Sequence, residues 1–167
     1  MTAADRYRGG DGGLYGGGRN EPPPGLLALA TAETAKIAPL DEQGKPALDG
    51  KIGLVSLSMS NATMEFSVFK QLADADTDKS AHVCIVECAQ GGQAMAQWVD
   101  SQGRAWTEAD RWLASAHVSP AQVQVIWVKL ANVRPTGTLE EHGKKLQRDT
   151  STLLQNAQQR FPKLRIA

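Results

Sequence analysis

The sequence predicts an α/β fold: a parallel sheet covered by helices in three layers. Three observations predict it. Apolar runs of strand length recur at residues 52–57, 82–87 and 123–129. Segments with apolar residues at helical spacing lie between and after them. The junctions between the two kinds of segment are short and built from Gly, Ser, Asn and Pro. Strands separated by helices pair in parallel through right-handed crossovers. The expected strand order is 2-1-3-4, a flavodoxin-like layout in which the carboxyl ends of the first three strands share one crevice.

Residues 1–25 form a Gly/Pro-rich arm. Seven glycines between Gly9 and Gly18, then Pro22, Pro23 and Pro24, exclude a regular helix or central strand there. Tyr7, Leu14 and Tyr15 give the arm apolar handles. Residues 26–167 form one α/β domain. An Ala/Leu-rich helix is expected over 26–37, and a loop over 39–50 with turns at Gln43-Gly44 and Asp49-Gly50. Strand one (52–57) precedes a helix over about 63–73. The polar stretch 74–80, DADTDKS, lacks the glycine and distal glutamate of a calcium loop. Strand two spans 82–87, followed by a Gly91-Gly92 turn and a helix over 94–99. Thr107 with Asp110 three residues later reads as a capping box that opens a further helix to about residue 116. Ser119-Pro120 starts a turn with proline at a helix-start position. Strand three spans 123–129. Thr138 with Glu141 is another capping box, and Leu139, Leu146, Leu153, Leu154, Ala157 and Phe161 then recur at helical spacing until Pro162. Residues 164–167 read as the start of a fourth strand, so the sheet is expected to be incomplete at its C-terminal side.

Charge narrows the partners. Lys plus Arg total 18 and Asp plus Glu total 18, so no global charge draws the chain to nucleic acid or to a membrane surface. Basic residues gather at Lys144, Lys145, Arg148, Arg160, Lys163 and Arg165, where helical spacing makes them a solvated helix face. No apolar run reaches membrane-spanning length. MTAADRYRGG lacks the apolar core of a signal peptide, which places the chain in the cytoplasm unless a leader has been removed. Cys84 and Cys88 are four residues apart on a strand, too far to bridge, and read as buried thiols. Neither a cofactor nor a metal is expected. Among the tryptophans, Trp127 is expected in the core, while Trp98 or Trp106 could line a cleft.

The chemistry gathers at the strand ends. Strand one breaks off into small polar residues, SMSNAT, immediately before a helix. Ser60 therefore sits where a helix aims free N–H groups at the crevice, a setting that favours developing negative charge. A lone serine there also serves simply as a helix cap. The second loop supplies Gly92, whose backbone N–H a substrate can approach closely. The third supplies Asn132, an amide able to donate to an oxyanion. A serine, a glycine and an asparagine after three successive strands suit acyl transfer.

This ordered set resembles the SGNH (GDSL-type) hydrolase superfamily, and within it the carbohydrate esterases and sialate O-acetylesterase-like proteins. Ser58-Met59-Ser60-Asn61 stands where the Gly-Asp-Ser block would be. Glu87-Cys-Ala-Gln-Gly-Gly92 resembles the second block, and Trp127-Val-Lys-Leu-Ala-Asn132 the third. The resemblance covers most of residues 50–167. It implies an ester hydrolase with Ser60 as nucleophile and Gly92 and Asn132 in the oxyanion hole, acting on acylated carbohydrate or a related small ester. Ser58 and Met59 replace the glycine and aspartate of the first block. Leu130 and Val133 occupy the third block's usual glycine and aspartate positions. The Asp-x-x-His block that supplies the base is expected after a later strand, so the chain reads as an N-terminal portion. His82 and His117 fall at the far end of the sheet, which leaves His142 as the candidate base. Glu65 is placed to orient a group or bind solvent near the nucleophile turn. The alternative is a non-catalytic relative or fragment that binds a ligand or protein. An uncovered fourth strand also predicts a homodimer through the exposed sheet edge.

Overall fold

The computed structural model describes residues 5–7 and 9–167, without the Tyr7 side chain; the reading of residues 1–4 as part of a leaderless N-terminus lies outside them. The chain divides into two units, Met1–Lys36 and Ile37–Ala167.

In the first unit, β1 (Arg6–Tyr7) and β2 (Gly10–Asp11) form a two-residue antiparallel hairpin, with Arg6 ion-paired to Asp11. Gly9 takes φ +82° at the turn, a conformation that favours glycine. Helix α1 (Pro24–Thr34) starts on proline, whose missing N–H costs nothing at that position. It buries no residue, and Leu26, Leu27 and Leu29 are exposed.

The second unit is α/β. Strand β3 (Ile52–Ser58) is central in a three-stranded parallel sheet, with β4 (Val83–Glu87) on one side and β5 (Val123–Lys129) on the other. The helices are α2 (Ser60–Ala75), α3 (Met95–Val99), α4 (Arg104–Ser115) and α5 (Leu139–Arg160), with a 3-10 turn at Pro120–Gln122. The parallel α/β architecture therefore agrees with the sequence. Where a fourth strand was expected there is a single parallel bridge, Val125 to Ile166, supported by Ile126 N–H donating to Ile166 O at 2.9 Å.

The core lies between one sheet face and α3, α4 and α5. Val55, Leu57, Val86 and Ile126 meet Trp98, Trp106, Leu113, Leu153 and Phe161 there. Trp98 and Trp106 pack edge to face at 5.1 Å, and the Trp106 indole N–H donates to Trp98 O at 3.0 Å. Both are wholly buried, so neither lines a cleft. Within this unit, α2 is the helix that packs on the other face. Trp127 lies on that side, stacked on Phe66 at 5.4 Å, and is 36% exposed rather than core. It leaves an apolar groove of about 510 Å³ beside Phe66, Phe69, Trp127 and Ile166. Met64, Val68 and Leu72 of α2 are exposed as well.

Two boundaries differ from expectation. Helix α4 begins at Arg104 with Gly103 as its cap, so Thr107 lies inside the helix and caps nothing. Helix α2 begins at Ser60, three residues early, because Met59 is extended (φ −93°, ψ 173°) and the small polar residues after it continue straight into the helix. The Thr138–Glu141 box is formed: Thr138 N–H donates to the Glu141 carboxylate at 2.7 Å, and Glu141 N–H donates to Thr138 Oγ1 at 3.2 Å. No helix among the described residues is long and apolar enough to cross a membrane.

Candidate functional site

The carboxyl ends of the three strands are joined by main-chain bonds. Gln90 N–H donates to Ser58 O at 3.0 Å, Met59 pairs with Gln90 in a parallel bridge, and Met59 N–H reaches Lys129 O at 3.5 Å. The loops that carry Ser60, Gly92 and Asn132 thus leave one end of the sheet together. Met95 N–H donates to Ala131 O at 3.2 Å, which holds the third loop over the start of α3.

Of the two serines at the end of β3, Ser58 is fully buried and its hydroxyl has no hydrogen-bond partner. Ser60 is exposed, and among the described residues its hydroxyl makes no hydrogen bond. It is the first residue of a 16-residue helix whose N-cap, Met59, has no side-chain oxygen to satisfy the leading N–H groups. Those donors and the helix dipole favour an anion beside Ser60. Gly92 is exposed at φ +73° in the turn closed by Gln93 N–H to Gln90 O. A Cβ there would meet nothing within 4 Å, so the backbone conformation, not crowding, is what asks for glycine. Gln90 is buried and anchors the turn, its amide donating to Ala105 O at 2.7 Å.

Asn132 is half-buried in the loop after β5, and its amide nitrogen has no acceptor at hydrogen-bond geometry. It lies close to Asp149 on α5. Burial pushes the Asp149 carboxyl up, but the Lys145 ammonium bonded to it, the neighbouring Asn132 amide and the Arg148 charge outweigh that and hold it below the usual aspartate range. Asn132 and His142 line one cavity of about 460 Å³, whose walls include neither Ser60 nor Gly92. His82 and His117 sit at the opposite end of the sheet. The His82 ring nitrogen Nδ1 bonds Gly50 O at 2.9 Å, and the His117 carbonyl accepts from Lys51 Nζ at 2.6 Å.

Glu65 lies past the first turn of α2 and is ion-paired with Lys129, at the end of β5 beside Ser58. Cys84 and Cys88 are free thiols. Burial, with the charges of Asp110 and Glu87, pushes the Cys88 thiol up to about 12, so it is not a nucleophile at neutral pH. In the last turn of α2 the Asp74 carboxylate is ion-paired with Lys70 and Lys79. No group of three or more metal-ligating side chains occurs among the described residues.

Comparison with protein-family models, with curated proteins and with solved structures finds no match for this chain.

Sequence reasoning passed over the cations around Asn132 and His142. Arg134, Lys145 and Arg148 line the same cavity. The signal was present in two places: His142, Lys145 and Arg148 recur every three residues on α5, and Arg134 stands in a Pro/Gly loop. Reading the basic residues as a uniform solvated face hid it. Lys144 and Arg160 do fit that reading in part, paired with Glu140 and Asp110, whereas Arg148 makes no ion pair among the described residues.

Proposed function

We propose that the chain is a serine ester hydrolase of the SGNH type, acting on acylated carbohydrate or a related small ester. The observation that supports this most is Ser60, an exposed hydroxyl on an uncapped helix N-terminus at the carboxyl end of the central strand. In this reading the Ser60 oxygen attacks the ester carbonyl carbon and its proton passes to a base. The N–H groups of Ser60 and Gly92 and the Asn132 amide hold the oxyanion. The alcohol then leaves with the proton, and water releases the acyl group from Ser60. His142 is the base this chain offers, being the one histidine in the described residues on the carboxyl side of the sheet. The full 2-1-3-4 sheet order belongs to the same reading; the Ile166 bridge beside β5 supports it.

Hydrolysis of p-nitrophenyl acetate by the chain and by Ser60→Ala tests it. Turnover is expected to vanish with Ser60, and Asn132→Ala is expected to lower kcat by about 100-fold or more. Equal rates for the chain and Ser60→Ala overturn it.

One observation favours a second reading, a non-catalytic ligand-binding module. The cavity that holds Asn132 and His142 is separate from Ser60. Equal background rates in the experiment above, together with a bound ligand, would select it. We also propose a homodimer through the β5 side of the sheet. Beyond β5 only the Ile166 bridge adds to the sheet, so that edge is open to a strand from a second copy. A monodisperse monomer in light scattering would exclude it.

A further inference from the structure

The cavity beside Asn132 lies between the 132–137 loop and the first turns of α5, and its charges are unevenly satisfied. Arg134, Lys145 and Arg148 are its cations and Glu141 its one carboxylate. Glu141 is held by the Thr138 N–H and hydroxyl, at 2.7 and 2.9 Å. Lys145 is paired with Asp149. Arg134 and Arg148 have no side-chain hydrogen bond or ion pair among the described residues, although most other ion pairs of this helix are made locally. Arg134 also holds φ +52°, a left-handed conformation that a residue with a Cβ rarely adopts. The Asn132 amide nitrogen is buried at the same wall, near Asp149 but with no acceptor at hydrogen-bond geometry.

We propose that this cavity binds a phosphorylated small molecule, its phosphate gripped by the Arg134 and Arg148 guanidinium groups and the Asn132 amide. A guanidinium presents paired N–H donors in a planar fork that matches phosphate oxygens. Lys145 and Arg148 share the single Asp149 carboxylate and Glu141 is held by its own cap, so the cavity keeps an excess of positive charge, centred on Arg134, that favours an anion. The space, about 460 Å³, exceeds what a phosphate ion fills and falls in the range of small-molecule sites, so an organic part has room beside it. The inference goes beyond the esterase reading, because it does not require Ser60.

Isothermal titration of the full chain with inorganic phosphate, glucose 6-phosphate, glucose and acetate tests it, alongside Arg134→Gly, Arg148→Ala and Ser60→Ala. Glycine at 134 removes the guanidinium and relieves the left-handed strain, so a loss of binding there is not a loss of fold; an unchanged or raised Tm checks this. Both phosphate-bearing probes are expected to bind, and each arginine variant to weaken them by at least about tenfold. Tighter binding of the sugar phosphate than of inorganic phosphate identifies a phosphomonoester as the ligand, and equal binding identifies free phosphate. Ser60→Ala is expected to bind as the parent does, so a failed esterase assay leaves this result standing. Binding of acetate as tight as phosphate, or retention of affinity within twofold in Arg134→Gly and Arg148→Ala, overturns the proposal.

Discussion

Replacing Gln124 with leucine should unfold the domain early, although glutamine to leucine in a strand is ordinarily read as an improvement. Gln124 is 2% exposed, near the start of β5. Its amide nitrogen donates to Ala38 O at 2.7 Å, and its carbonyl accepts from Ala38 N–H at 3.2 Å. One side chain therefore satisfies both main-chain groups of a residue 86 positions away. Leucine removes both bonds, worth about 1 kcal/mol each net, and leaves two peptide groups without partners at about 1–3 kcal/mol each if fully buried. Ala38 is only half-buried, so the low end applies. The added apolar burial offsets about 1 kcal/mol. The net loss is about 3 kcal/mol, and with a urea m-value of about 2 kcal/mol/M the midpoint should fall by about 1.5 M. Urea unfolding followed by tryptophan fluorescence reads this directly. Gln158→Leu, on the exposed side of α5, is the control and should stay within about 0.5 kcal/mol. A Gln124→Leu midpoint no lower than the control's would refute the claim that this glutamine ties the 37–51 segment to the sheet.

Two glycines should respond oppositely to alanine. At Gly50 a Cβ would lie 2.6 Å from the Leu40 backbone nitrogen, in a segment pinned by Leu40–Lys51 hydrogen bonds, so Gly50→Ala should cost about 1–3 kcal/mol by urea titration. At Gly143, inside exposed α5, a Cβ meets nothing within 4 Å, and Gly143→Ala should stabilise by up to about 1 kcal/mol. The Glu141 carboxyl is held below the usual glutamate range by the Thr138 N–H and then its hydroxyl. The stability it lends is present above that range and is lost as pH falls through its own lowered value. Glu141→Gln should therefore lower Tm at pH 7, with the difference narrowing below about pH 4; an equal deficit at both pH values would count against the cap. The Cys88 thiol, raised to about 12, should resist a thiol reagent at pH 8 until the protein unfolds, which mass spectrometry after timed quenching can follow.

Much of the fold was legible because its determinants are local. The runs at 52–58, 83–87 and 123–129 are rich in Val, Ile and Leu, and a buried parallel strand needs little more. The Thr138–Glu141 box announces α5 within four residues. What escaped depends on partners far along the chain. In VQVIWV the alternation suggests that Gln124 faces water and Trp127 the core. The reverse holds, because the 37–51 segment brings peptide groups to Gln124 while within this unit the face around Trp127 is covered by one helix, α2. Polarity along a strand reports a preference for hydrogen bonds, and such bonds can come from a distant loop as well as from solvent.

The same distinction governs the candidate site. Ser60, Gly92 and Asn132 were picked out by position after strands, and the main-chain bonds at Ser58, Met59 and Gln90 explain why those loops start together. Position after a strand does not say which cavity a side chain enters. Asn132 and His142 line a space walled by arginines, while the Ser60 hydroxyl faces solvent without a partner. That separation sets what the two experiments must resolve. An oxyanion hole requires the Asn132 amide to donate to a substrate held at Ser60, whereas an anion site requires it to donate to a phosphate held by Arg134 and Arg148. One amide cannot do both to a single small ligand unless that ligand spans the two places. A phosphorylated ester would do so. It predicts that Arg148→Ala raises KM for such an ester while leaving kcat on p-nitrophenyl acetate unchanged, because a remote contact made equally in ground and transition states alters binding alone. A fall in p-nitrophenyl acetate turnover in Arg148→Ala would show instead that the arginine cavity and the serine act as one site.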